Sequence, residues 1–167
     1  MAEYRRSTRA CTIDHLRPEL ARAVREHLPT IGLAAAAHDA WDVCETTSDK
    51  LNASRLDALF SGDPDTVSYL ALILTPDRLI WARSGDHSAT VAASALLKDL
   101  RVKVFRPRGT RDFGLQLNVR TGGLRPSVSG QLLMGSEPAA EKFCQALGQA
   151  MHGLLKVQPG RLRWPGH

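Results

Sequence analysis

The chain predicts an α+β fold: a curled antiparallel β-sheet, a split barrel, capped by a C-terminal α-helix and preceded by an N-terminal helical extension. Three observations lead there. Between Val67 and Met134, short strand-like segments follow one another with turn residues between them, which suits antiparallel strands joined by short turns. Phe113, Leu115, Leu117 and Val119 alternate with Gly114, Gln116, Asn118 and Arg120, the period of two of a strand with one dry face. Ala140, Phe143, Leu147, Met151 and Leu154 then recur at helical spacing, so one amphipathic helix closes the series.

Composition sets the frame for these elements. A chain of 167 residues suffices for one domain with a substantial core. That domain is expected over residues 13–157, between a flexible tail at 1–12 and a second tail at 158–167 that holds two prolines and two glycines. Hydrophobic residues at 43% and charged residues at 23% exclude wholesale disorder. The longest apolar runs, 31–37 and 69–74, fall far short of the roughly 20 residues that cross a bilayer. The arginine-bearing N-terminus has no apolar stretch suited to a secretory signal. These features predict a soluble, cytoplasmic protein. Cys11, Cys44 and Cys144 are odd in number and widely scattered, which fits neither a metal pattern nor a paired framework. They are expected to be reduced thiols, Cys144 on or beside a buried helix face.

Taken in order, Leu16, Leu20, Val24 and Leu28 recur every four residues with charges between them, predicting a helix over 16–28. Pro18 suits its first turn and Pro29 stops it. The stretch that follows pulls both ways, the alanines at 34–37 towards helix and Trp41, Val43, Thr46 and Thr47 towards strand. A strand at 39–47 is assigned. Ser54 caps a short helix carrying Leu56, Leu59 and Phe60, ended by Ser61, Gly62, Asp63 and Pro64. Val67 to Leu74 is an almost wholly apolar strand. Thr75-Pro76-Asp77-Arg78 suits a type I turn with proline in second place, and Leu79 to Arg83 returns beside it. Residues 88–93 form a third strand of smaller side chains, followed by a short segment at 94–100. In residues 101–106, Val102 and Val104 face one way, Arg101 and Lys103 the other. After the strand at Phe113 to Val119, Gly122-Gly123 turns the chain into 127–134, where Val128, Leu132 and Met134 share a face. Ser136 is the expected cap of the last helix, with Glu137 and Pro138 in its first turn.

The segment Tyr69-Leu-Ala-Leu-Ile-Leu-Thr-Pro-Asp-Arg-Leu-Ile-Trp-Ala-Arg83 resembles the hairpin of bacterial PH-like (pleckstrin-homology-like) and GRAM-like domains: an apolar strand, a Thr-x-x-Arg-Leu turn and an apolar return strand. Ser94-Ala-Leu-Leu-Lys-Asp-Leu100 is similar to the short segment preceding that family's next strand, and Phe143 with Leu147 sits where its closing helix packs. The resemblance covers about half the chain and rests on a pattern of apolar residues and turns. It implies a non-enzymatic binding or adaptor role, with lipid headgroups, peptides or partner domains as ligands and no cofactor. One departure concerns lipid. Phosphoinositide-binding members place basic residues around the loop joining their first two strands, whereas residues 48–66 here are net acidic.

Positive charge lies elsewhere. Residues 98–125 carry a net +6 against +5 for the whole chain, concentrated on Arg101, Lys103, Arg106, Arg108, Arg111, Arg120 and Arg125. Two readings stand side by side. Arg101, Lys103, Arg106, Arg108 and Arg111 bind an anionic partner, or alternating cations solvate a sheet face and keep its edge from pairing. Phe105 is the lone aromatic near this strand face, so base stacking and specific nucleic-acid binding are not expected. His38-Asp39 has no second ligand cluster to make a metal site. Asp14-His15 and Asp86-His87 lack an accompanying nucleophile and read as caps or turns. Gly122-Gly123 lacks phosphate-loop spacing. Trp41 and Trp81 are expected in the core, and Trp164 packs on the body or on a second copy. The function expected is capture of a protein partner, including self-association through the 16–28 helix or a sheet edge, with anionic lipid headgroups as the alternative ligand of the 101–111 region.

Overall fold

In the computed structural model, which describes residues 3–33, 41–51, 65–120 and 128–157, the strands sort into two antiparallel sheets. The first runs β1 (Tyr4–Cys11), β2 (Asp42–Lys50), β3 (Val67–Leu74), β4 (Arg78–Gly85), β5 (Val91–Leu96) in sequence order. The second runs β6 (Leu100–Phe105), β7 (Phe113–Val119), β8 (Val128–Met134). Helix α1 (Pro18–His27) follows β1, and helix α2 (Pro138–Val157) follows β8. The sheets do not close into a barrel: a 3₁₀ turn at Leu97–Asp99 carries the chain from one to the other, and β1 and β8 belong to different ladders.

From Leu70 to Leu74, β3 is buried on both faces of the five-stranded sheet, which explains why it reads as a continuous apolar run. On one face Val43, Ala71, Ile73, Ile80 and Ala82 pack with Leu20, Val24 and Leu28 of the α1 segment. The expected four-residue period is therefore used inside the protomer. Its apolar stripe is buried here, so it is not a free surface for self-association. The other face carries Cys44, Leu70, Leu72, Leu74 and Leu79, and meets Leu115, Leu117, Leu132 and Met134 of the smaller sheet together with Ala140, Phe143 and Leu147 of α2. The last helix buries Ala140, Phe143 and Leu147 against the sheets as expected, but there is no closed barrel for it to cap. Trp41 and Trp81 are half-buried at the margins of the two cores.

The tail expected at 1–12 is replaced by β1, a strand in register with β2 from Tyr4 opposite Lys50 to Cys11 opposite Val43. Beyond its backbone ladder, it carries polar matches to β2 that a hydrophobic period does not reveal. Arg9 pairs with buried Glu45 at 3.1 Å, Arg5 with Asp49 at 3.5 Å, and the buried hydroxyls of Thr8 and Thr46 lie 2.8 Å apart. The outer edge of β1 is tied to the start of α2. Gly135 N donates to Thr8 Oγ1 at 2.8 Å, and Thr8 N donates to Glu137 Oε2 at 2.9 Å. Gly135 permits this approach, since a Cβ there would sit 2.2 Å from that carboxylate. Glu137, not Ser136, stands at the helix start: its carbonyl accepts from Ala140 N, with Pro138 as the first helical residue.

The remaining differences are shifts of frame. The strand expected at 39–47 is Asp42–Lys50, and the one expected at 88–93 is Val91–Leu96, pairing Leu79 with Ala95. The bend between β3 and β4 is closed by Thr75 N donating to the Arg78 carbonyl at 3.0 Å and by Arg78 N donating to Thr75 Oγ1 at 3.0 Å, in place of the carbonyl bond of the expected type I turn. The predicted helix after Ser54, the pair His38-Asp39, Gly122-Gly123, Arg125 and the 158–167 tail with Trp164 lie outside the described residues.

Asp86, expected to cap or turn, caps the start of β3. Its carboxylate accepts from Thr66 N at 2.9 Å, from Val67 N at 3.3 Å and from the Thr66 hydroxyl. The Thr66 hydroxyl bond chiefly holds its pKa down to about 2. A depressed folded value stabilises the fold above the ordinary carboxylate range, and that contribution is lost as pH falls through about 2. A carbon-13 carboxyl titration is expected to place the Asp86 midpoint near 2, and Asp86→Asn to flatten this part of the acid-stability curve. A midpoint at the usual aspartate value would refute the assignment.

Candidate functional site

β6 forms because Leu100, Val102 and Val104 alternate with Arg101, Lys103 and Phe105, and the structure keeps that split. Leu100, Val102 and Val104 lie on the side of Leu115, Leu117 and Val119, Leu100 and Val102 packing in the core and Val104 exposed at the far end, while Arg101 and Lys103 stand on the outer face opposite Asn118 and Gln116. The Phe105 ring lies over Gly114, where a Cβ would come within 2.5 Å of it, so this close approach depends on glycine. The hairpin to β7 turns through Gly109 at φ +79, a left-handed conformation natural to glycine. There Arg106 donates from Nη1 to the Arg111 carbonyl at 2.9 Å and stacks its guanidinium 4.4 Å from the centroid of the Phe113 ring.

All five predicted cations, Arg101, Lys103, Arg106, Arg108 and Arg111, are thus brought onto the exposed strand and hairpin of one unit. Among the described residues none of the five forms an ion pair. The acid next in sequence, Asp112, turns inward and pairs with Arg6 of β1 at 2.9 Å. Residues two apart on a strand are about 7 Å apart, within the roughly 8 Å screening length of physiological salt, so these charges add. Arg120 is exposed at the end of β7, away from this hairpin in sequence.

The same strand is a sheet edge. Among the described residues β6 pairs with β7 alone in its ladder, and Val104 is 44% exposed. β5 ends the other sheet in the same way, with Val91 exposed. A terminal strand presents backbone donors and acceptors that an added strand satisfies.

A second concavity was not anticipated from the sequence. A cavity of about 200 Å³ lies between the sheets, lined by Tyr4, Arg6, Ser48, Ser68, Leu70 and Arg83 on one side and Gln131, Leu132 and Leu133 of β8 on the other. Its residues come from five strands, so linear spacing carries no trace of it.

Other candidates resolve into structural roles. Asp14 pairs with Arg25, and Thr12 Oγ1 lies 2.8 Å from His15 Nδ1. His27 Nε2 lies 2.9 Å from Ser94 Oγ, and burial lowers its pKa, with Arg78 adding to the effect. The thiols are unbridged. Burial pushes Cys11 and Cys44 up and Cys144 up to about 11, so all three are protonated at neutral pH and weak nucleophiles. Among the described residues no cluster of three His, Cys, Asp or Glu side chains could hold a metal ion, and no helix is long and apolar enough to cross a membrane.

Comparison with family models, with curated proteins and with solved structures returns no match. The functional reading therefore rests on the geometry.

Proposed function

We propose that the protein is a non-enzymatic interaction module of the PH-like type, acting in the cytoplasm, that captures an extended acidic segment of a protein partner along β6. The division into two antiparallel sheets with a final helix packed between them supports the PH-like reading. The observation that carries the binding role is the terminal position of β6 beside five cations that have no ion pair among the described residues.

A strand added to β6 alternates its side chains as β6 does. Acidic residues on its outer face would meet Arg101 and Lys103, and apolar residues on its inner face would cover Val102 and Val104. The same cations oppose pairing of β6 with a second copy of itself, because like charges facing across a ladder repel. The edge therefore selects an acidic partner over self-association. An anionic lipid surface is the rival reading of the same charges.

Fluorescence anisotropy separates the two. A labelled peptide alternating Glu and Val is expected to bind with affinity that falls as salt rises, and a version interrupted by proline is expected to bind weakly. Exposed charge pairs contribute about 0.2–1 kcal/mol each, so reversing both signs in Arg101→Glu with Lys103→Glu should weaken binding by about tenfold. Flotation with phosphatidylserine vesicles, with no peptide binding at any salt, would replace the protein partner by lipid.

A further inference from the structure

We infer that the cavity between the sheets is a binding site for a small monocarboxylate with a short apolar chain, held by Arg6 and Arg83. This site is separate from the β6 edge and stands or falls independently of it.

The inner face of the five-stranded sheet is apolar at Leu72, Leu74 and Leu79, but it turns polar toward this cavity. Arg6, Ser48 and Ser68 occupy paired register positions on β1, β2 and β3, forming one row across three strands. Arg83 joins from β4, opposite Leu70. Polar groups on an inner sheet face cost stability unless they are bonded, so a row of them needs an account. Among the described residues neither serine hydroxyl makes a hydrogen bond to the protein, and Ser48 is buried. The Arg6 side chain lines the cavity and donates from Nη1 to Asp112 at 2.9 Å. Donors on two guanidiniums and two hydroxyls in one cavity ask for oxygen acceptors.

Charge narrows the ligand. Arg6 is offset by Asp112 at 2.9 Å, whereas exposed Arg83 has no ion pair among the described residues. The net excess is one positive charge, which a carboxylate balances and a phosphate dianion exceeds. A planar carboxylate also suits the guanidinium fork. Leu70, Leu132 and Leu133 supply an apolar wall, and about 200 Å³ lies below the roughly 300–1,000 Å³ of sites for drug-sized ligands. The carboxylate therefore belongs to a small free acid or to the C-terminal residue of a peptide.

The test uses the full chain and nitrogen-15 spectra of arginine Nε–H groups. Sodium hexanoate, a short peptide ending in leucine, the same peptide amidated, hexylamine and inorganic phosphate are titrated in turn. Saturable shifts of the Arg6 and Arg83 signals with hexanoate or the free-acid peptide are expected, and the arm that saturates first names the source. Arg83→Gln, an exposed change that leaves the fold intact, should weaken binding at least tenfold with thermal stability unchanged, while Arg83→Lys should recover part of it. Phosphate binding as tightly as hexanoate, equal binding of the amidated peptide, or no saturation by either carboxylate would overturn the assignment.

Discussion

Phe143→Ala is expected to destabilise the fold by about 3–5 kcal/mol, the cost of deleting a buried aromatic ring and leaving a cavity. Phe143 is 3% exposed and lies in one core with Leu72, Leu79, Leu97, Leu115, Leu132, Met134 and Leu147, which come from both sheets, the turn between them and α2. Its loss leaves a gap in the core shared by these layers, and little can relax into it because β3, β4 and β7 are each held by ladders on both sides. A domain of this size holds only about 5–15 kcal/mol in all, so urea unfolding should show a large fall in midpoint with little change in slope. Met151→Ala, at a half-buried position further along the same stripe, should cost clearly less. Equal small losses at both positions would mean that α2 is not what holds the two sheets together.

The parts of the fold that hydrophobic periodicity reports were legible in the sequence. β3 and β7 have the limits assigned to them, because eight apolar or small residues between turns, and four apolar residues alternating with polar ones, leave few alternative registers. The α1 stripe was equally plain. β5 was displaced by three residues because its inward side chains are small, so its frame is set by pairing of Ala95 with Leu79 on β4 and not by a signal of its own. β1 was missed altogether, since it has no hydrophobic period and its ladder and its matches, Arg9 with Glu45 and Thr8 with Thr46, exist only once β2 is alongside. The site divides in the same way. A run of cations can be counted along the chain, but that β6 is a terminal strand and that Asp112 turns away from those cations are facts of topology. The cavity is further from view, because Arg6, Ser48, Ser68 and Arg83 become neighbours only through three ladders in register.

The Arg6–Asp112 pair is the other place where a single change should have a large effect. It bridges the sheets, Arg6 from β1 and Asp112 from the residue before β7, and its side chains are only 10% and 12% exposed. Burial of two charges is costly, and their attraction offsets that cost only while both are present. Asp112→Ala would leave the Arg6 guanidinium charged and unpaired, stacked 4.9 Å from the centroid of the Tyr4 ring, and is expected to cost about 3–5 kcal/mol in chemical denaturation. Replacing both partners by apolar residues, Arg6→Met with Asp112→Leu, removes the orphaned charge and should recover most of that loss. The double-mutant cycle measures the coupling directly. Single and double variants of equal stability would show that water screens the pair and that it does not hold β1 to the second sheet.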